Sequence, residues 1–220
     1  MPWASNGTFL VQLVDEDSDD HEKDRPVQAI YKPRRGERPL WDFPPGLYKR
    51  EAAAYELGAF LGWWVVPPTV VRDGPLGEGS MQLFIDADFE QHYFTLQDDS
   101  RYRWDFEAIC IFDLVANNTD RKSGHCLLGP DERIWAIDNG LCFAVDFKLR
   151  TVLWDFAGEP IPDELLRDLG CLLEEGPPET LASLLDDDEQ LAMLERADSV
   201  VRSRHFPVDR TGRRYPWPLV

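Results

Sequence analysis

At 220 residues, the chain has room for one domain, or for two small lobes sharing a cleft. Its 43% apolar content, with twelve Phe and eight Trp, excludes a wholly disordered protein. A net charge of -18, from 41 acids against 23 bases, sets up a field that repels nucleic acid and anionic membrane. No apolar run approaches the ~20 residues that span a bilayer, and no opening segment reads as a signal peptide. Cysteines at 110, 126, 142 and 171 lack a paired short spacing. They point to buried free thiols in a reducing cytosol rather than to zinc. The expectation is a cytoplasmic protein with no nucleic-acid partner and no stable membrane insertion.

In chain order, TFLVQLV (8–14) and VQAIYK (27–32) have the length and apolar character of strands. The acidic stretch 15–26 between them reads as a long hairpin loop. Val27, Ala29 and Tyr31 share one face of the second strand, and Gln28, Ile30 and Lys32 the other. KPRRGERPLWDFPPG follows as a loop long enough to suggest a purpose. YKREAAAYELGAFLG reads as a helix stopped by Gly62, and VVPPTVV and SMQLFID as two more strands around a Gly-rich turn. Beyond residue 95 the character becomes helical. WDFEAICIFDLVANN places Trp104, Ala108, Ile111, Phe112 and Val115 on a stripe that Asn117 and Asn118 end. CLL and IWAID flank GPDER, a hairpin signal. Leu165, Leu166, Leu169, Leu172 and Leu173 form one helical face behind Pro162, and a last helix covers about 187–204. The fold class expected is α+β and two-lobed: a strand-rich N-lobe over 1–86, with an antiparallel sheet and one helix, then a mainly helical C-lobe over 87–220.

Phosphoryl transfer from a nucleotide requires a cation on the phosphates, a carboxylate-held metal, a base that orients the acceptor and an apolar slot for the base ring. The sequence offers a residue for each. Lys32 ends a strand and can meet phosphates as a point charge, with Glu51 nineteen residues later to hold it. Asp120 sits in the turn after an apolar helix, where a carboxylate can deprotonate an acceptor hydroxyl. Lys122 can neutralise charge on the moving phosphoryl group. Asp138, just before Asn139-Gly140, can take magnesium, a hard cation with oxygen ligands. Taken singly, each has a plainer reading: a surface lysine, a first-turn glutamate favoured by the helix dipole, and two Asx-type turn caps.

Taken together, the motifs resemble a known family. NNTDRKSGHCLL with AIDNGLCF is similar to the catalytic and metal-binding loops of the phosphatidylinositol 3-/4-kinase superfamily, nearest its type II 4-kinases. EGSMQLFID resembles the segment joining the lobes, AIYKPRRGERPL the nucleotide-lysine strand, and REAAAYELGAFLGWWVVPPTV the helix and strand after it. The likeness spans roughly residues 5–145 in the family's order, and extends to its small bacterial kinase-like members. It implies a protein-kinase-like (PI3/4-kinase-like) version of the two-lobed α+β fold, with ATP and Mg2+ (or Mn2+) as cofactors. It implies that Lys32 binds the phosphates, Asp120 is the catalytic-loop aspartate and Asp138 holds the metal. Backbone of the joining segment, from Gln82 through Phe84 to Ile85, would meet the adenine edge. Leu127 and Ile137 would form the apolar floor, and SNGTF (5–9) would cover the phosphates. Five residues after the catalytic aspartate the family has a metal-holding asparagine. Here that residue is His125, which can ligate a metal or meet the phosphate or acceptor.

Composition bears on the acceptor. Lipid kinases dock on anionic bilayers through basic and apolar patches, whereas this chain is strongly acidic. PRRGER (33–38) is its dense basic loop, and RTGRRYPWPLV (210–220) a second basic, aromatic stretch that reads as a packed tail or a partner contact. The expected function is an ATP-dependent kinase acting on a hydroxyl of a soluble protein or small molecule. The alternatives are a pseudokinase that binds nucleotide for regulation, a phosphatidylinositol kinase, and transfer of the nucleotidyl group instead of the terminal phosphate.

Overall fold

A computed structural model describes residues 7–14 and 27–220. The stretch 15–26 and the first two residues of SNGTF lie outside the described residues. Strand β1 (Phe9–Leu13) pairs with β2 (Val27–Pro33), β2 with β4 (Gly77–Leu83), and β4 with β3 (Thr69–Gly74), all antiparallel. The expected strand VVPPTVV is shorter than its letters suggest. Pro67 and Pro68 cannot donate to a ladder, so β3 begins at Thr69, while Val65 and Val66 are buried in the core. Lys32 stands opposite Ser80 in the β2–β4 register.

Between β2 and β3 runs helix α1 (Leu47–Phe60). Its first turn is capped from a distance. Glu37, in the basic loop, accepts hydrogen bonds from the N–H groups of Gly46 and Tyr48, both at 2.9 Å. Gly46 has φ 104°, a left-handed conformation that glycine adopts without strain. Ala52, Ala53, Ala54 and Leu57 bury one face of α1, and Gly62 follows the helix with φ 72°.

The rest is mainly helical: α2 (Tyr93–Leu96), α3 (Arg103–Ala116), the hairpin β5 (Cys126–Leu128) and β6 (Ile134–Ala136), then α4 (Asp163–Glu175), α5 (Glu179–Ala182) and α6 (Asp187–Ser203). Phe106, Ile109 and Phe112 of α3, Leu165, Leu169 and Leu172 of α4, and Met193 and Ala197 of α6 form the main core. Trp104, expected on the buried stripe of α3, is 36% exposed. It lies in the first turn, where the helix emerges, and its indole N–H is bonded to Glu164. Three cysteines are buried free thiols, and Cys171, expected buried, is exposed on the polar face of α4. No helix among the described residues is long and apolar enough to cross a membrane.

A buried contact ties α1, which packs against β3 and β4, to the helical part. Arg50 of α1 pairs with Glu189 of α6 in a buried contact, and its Nε donates to Cys142 O at 3.0 Å. Glu189 also completes a capping box with Asp186 at the start of α6. Thus α1 is anchored to both parts of the molecule.

Asp105 in the first turn of α3 carries a testable burden. Burial pushes its carboxyl up to about 6, against 3.8 unperturbed, and Arg133 only partly opposes this. An acid with a raised folded-state pKa loses stability as pH rises through that window. Asp105→Asn is therefore expected to stabilise the fold by about 1 kcal/mol at pH 7, after discounting for solvent screening and for the lost helix-dipole interaction. The gain should shrink as the pH is lowered toward 4. Urea unfolding at the two pH values checks it.

Candidate active site

Lys32 projects from β2 on the side that faces α1. Its ammonium is paired with Glu51 and also donates to Asp138 Oδ1 at 2.8 Å. Burial disfavours the ammonium, but the two carboxylates outweigh it and raise the lysine above its usual range. Lys32 in turn holds the Asp138 carboxyl well below the usual range. The second Glu51 oxygen accepts the Asn139 N–H at 3.0 Å. One buried side chain on α1 thus aligns the lysine and clips the loop that carries Asp138. Gly140 lies against the same clip: a Cβ there would stand 3.1 Å from Glu51 Oε1. Asp138 has φ 58°, a left-handed conformation that aspartate tolerates better than most residues. Its side chain remains 55% exposed.

The loop holding Asp120 begins where α3 stops. Asn117 takes the left-handed C-cap position at φ 54°, and its amide group donates to the carbonyls of Ala144 and Asp146, both at 2.8 Å. Asn118 Oδ1 accepts the Asp120 N–H at 2.9 Å, an Asx turn. The Asp120 carboxylate lies 3.0 Å from Lys122 Nζ. Burial raises its pKa and Lys122 works against the rise. His125 Nε2 sits 3.6 Å from Asp138 Oδ2. Burial drives its pKa down to about 4, so the imidazole is neutral at physiological pH. Its Nδ1 is buried without a hydrogen-bond partner among the described residues.

Beneath both loops lies an element that motif reading does not reveal. Arg121 is fully buried and bonds both oxygens of Asp113, at 3.0–3.1 Å. It also donates to Asn139 Oδ1 at 2.6 Å and to Ile137 O at 2.8 Å. Asp113 further accepts from Asn118 Nδ2 at 3.0 Å and Thr151 Oγ1 at 3.1 Å. One guanidinium therefore joins α3, the Asp120 loop and the Asp138 loop. A signal is present in the letters: Asp113 interrupts the apolar run ICIFDLVA, and a carboxylate in a buried stripe requires a partner.

The remaining expected site residues are placed as follows. Leu127 is buried in β5, and Ile137 follows β6, its N–H bonded to His125 O at 2.9 Å. Leu127 forms a bridge with His92, which brings β5 beside the stretch after the joining segment. Gln82 is not brought to an open edge. It pairs with both Ile30 and Thr69 inside the sheet, and its buried side chain donates to Thr69 Oγ1 at 2.9 Å. The N–H groups of Leu83 and Phe84 are bonded to Pro68 O and Gln28 O, at 2.8 and 2.9 Å. From SNGTF, Gly7 is described: its N–H bonds Gly36 O at 3.0 Å, joining this stretch to the basic turn at Arg34–Gly36.

The donor set suits a cation that arrives with a nucleotide. Among the described residues no group of three or more His, Cys, Asp or Glu side chains is gathered to hold an ion unaided. Asp138 and the neutral His125 form a pair, with Asp138 Oδ2 facing the imidazole and Oδ1 on Lys32. Magnesium bound to a nucleotide needs only one or two protein ligands, because phosphates and water supply the rest.

Comparison with known proteins places the chain. No protein-family model matches it. Protein Rv2133c of Mycobacterium tuberculosis is 37% identical over 256 aligned residues, covering 98% of this chain and 88% of the relative. The chain belongs to the Rv2133c family. Among solved structures, the Golgi casein kinase with Mn/ADP bound is similar at a TM-score of 0.56 and 16% identity, over 88% of this chain and 72% of that one. A hydra Fam20 solved with sugar is similar at 0.55 and 13% identity, over 83% and 79%. The Helicobacter pylori proinflammatory kinase CtkA is similar at 0.51 and 12% identity, over 92% and 90%. These likenesses give the Rv2133c-family chain an atypical kinase-like α+β fold, with a sheet-rich N-terminal part followed by helices.

Proposed function

We propose that this protein is an ATP-dependent phosphotransferase that moves the terminal phosphate of ATP to a hydroxyl of a soluble protein or small-molecule acceptor. One observation carries the reading. Three chain segments 106 residues apart at their extremes converge where Lys32 bonds both Glu51 and Asp138, with Asp120, Lys122 and His125 on the adjoining turn. The solved relatives with this fold include a kinase holding Mn and ADP, which supports a nucleotide and a divalent ion as the cofactors here. The order of motifs supports a place near the phosphatidylinositol 3-/4-kinase superfamily. The net charge of -18 favours a soluble acceptor over a lipid.

In this reading Lys32 exchanges its contact with Asp138 for nucleotide phosphate oxygens, while Glu51 keeps the ammonium aimed. Asp138 and His125 would hold the divalent ion, which would supply neutralisation of phosphate charge. Asp120 accepts the proton of the acceptor hydroxyl. The freed oxygen forms a bond to the terminal phosphorus, the bridging P–O bond breaks, and ADP leaves with the electron pair. The raised pKa of Asp120 suits proton acceptance. Lys122, beside it, meets the charge on the moving phosphoryl group.

The test pairs a thermal-shift titration of ATP with Mg2+ or Mn2+ with intact-mass analysis after incubation over an acceptor panel. Expected are metal-dependent stabilisation by ATP and addition of a phosphate mass, lost in Asp120→Ala and Asp138→Ala. Binding without any added mass over the panel favours a regulatory nucleotide-binding module, a reading motivated by His125 standing where the family that the motifs resemble has a metal-holding asparagine. A nucleotidyl mass indicates transfer of the other end of ATP. Normal transfer by both variants refutes the roles of Asp120 and Asp138.

His125→Asn supplies a further prediction. Replacing an imidazole nitrogen by an amide oxygen hardens the donor set. The Mg2+/Mn2+ ratio of turnover is expected to rise about tenfold, measured as kcat/KM with each metal. An unchanged ratio removes His125 from the ion.

A further inference from the structure

Residues 214–220, RYPWPLV, run across the helical part and finish against the turn that follows Asp120. The carbonyl of Arg214 accepts from Thr151 N–H at 3.1 Å and from the Trp154 indole at 3.2 Å. Its guanidinium stacks on Phe147, 4.5 Å from the ring centre. Pro216 is buried, and Leu219 packs against the main core. At the end of the run, Leu219 O accepts the N–H of Ser123 at 2.8 Å, and Val220 lies beside Gly124.

Ser123 is fully buried, and it stands between Lys122 and His125. Its hydroxyl accepts from Phe94 N–H at 3.0 Å and meets His92 Nδ1 at 2.7 Å. The turn is therefore pinned on one side by residues 92–94 and on the other by Leu219. Thr151, which donates to Arg214, pairs with the Arg121 backbone in a parallel bridge, and its hydroxyl donates to Asp113, so the same segment also backs the Asp113–Arg121 pair beneath the site. A buried N–H deprived of its partner is unfavourable, and the turn would rearrange to satisfy it. Between its anchors the segment is open to solvent: Trp217 is 87% exposed and Val220 61%.

We propose that residues 214–220 act as a positioning strap for the 122–125 turn. Among the described residues the strap makes no hydrogen bond to Lys32, Asp120 or Asp138; its contact with the site runs through Ser123. By taking up the Ser123 N–H it fixes where Lys122 and His125 stand relative to Asp120 and Asp138. This role rests on the phosphotransferase reading, but its structural half can be measured separately.

The experiment compares the full chain with a variant lacking residues 217–220 and with Leu219→Asp, which keeps the length but places a charge against the core. Amide exchange at Ser123 is expected to quicken about tenfold or more in both variants. kcat should fall about tenfold or more while KM for ATP rises by a smaller factor, because the ion ligand His125 shifts but Lys32, which meets the phosphates, and Glu51 lie elsewhere. A synthetic WPLV peptide added in trans to the shortened chain should restore both Ser123 protection and turnover. Unchanged exchange overturns the proposal. So does a rise in kcat on shortening, which would make the segment an obstruction. If the full chain transfers no phosphate, the phosphotransferase reading fails, and Ser123 exchange with peptide rescue still decides the strap.

Discussion

Asp138→Asn is expected to lower phosphate transfer about a thousandfold while leaving the fold almost unchanged. Asparagine keeps the size of the side chain and tolerates the left-handed backbone at this position. It removes the charge that faces His125 and one of the two carboxylates on Lys32. Glu51 remains to hold the ammonium, so Lys32 stays paired. Because Asp138 is half exposed, losing its ion pair should reduce stability by no more than about 1 kcal/mol, a shift in Tm of a few degrees for a chain of this size. Lys32→Met should behave differently. It strands the buried Glu51 carboxylate with only the Asn139 N–H, so both transfer and stability decline. Initial rates and thermal melts on the two variants separate these effects. Unimpaired transfer in Asp138→Asn would remove this residue from the chemistry.

Arg121→Met is expected to produce the largest loss of stability of any single change near the site, about 3–5 kcal/mol. Methionine fills part of the space but leaves Asp113 as a buried charge without a cation. The contacts to Asn139 and Ile137 disappear with the guanidinium, so the Asp120 and Asp138 loops lose their common tie. The Tm should drop by about 10 °C or more. Arg121→Met combined with Asp113→Leu should recover part of the stability, since removing both partners relieves the stranded charge. It should not recover transfer, because nothing then aligns the two loops. Urea unfolding and transfer rates on the single and double variants check this. A single variant as stable as the parent contradicts the structural role of Arg121.

Much of the fold and part of the site are legible in the sequence. Alternation in VQAIYK marks both β2 and the side on which Lys32 emerges, because the period of a strand is strict. The leucine spacing marks α4 and the Asn pair marks the end of α3, because those signals are local. The prolines at 67 and 68 fall within an expected strand, whereas β3 starts after them. Gln82 falls in a motif whose backbone is expected at the adenine edge, but strand pairing on both sides consumes it. Neither partner strand is local in sequence, so the pattern of letters does not disclose this. Arg121 escapes for a related reason. Its role depends on Asp113, Asn139, Ile137 and Thr151 meeting in space, and no single spacing encodes that. The double duty of Glu51, holding Lys32 and clipping Asn139, likewise emerges only from the fold.

The proposed chemistry requires that Lys32, Asp120 and Asp138 serve one nucleotide. A crystal structure with a non-hydrolysable ATP analogue and Mg2+ decides this. Expected are Lys32 Nζ on phosphate oxygen, the ion about 2.1 Å from an Asp138 carboxylate oxygen, and the terminal phosphate facing Asp120. A nucleotide bound elsewhere, or bound nearby with its phosphates turned away from these three side chains, would contradict it.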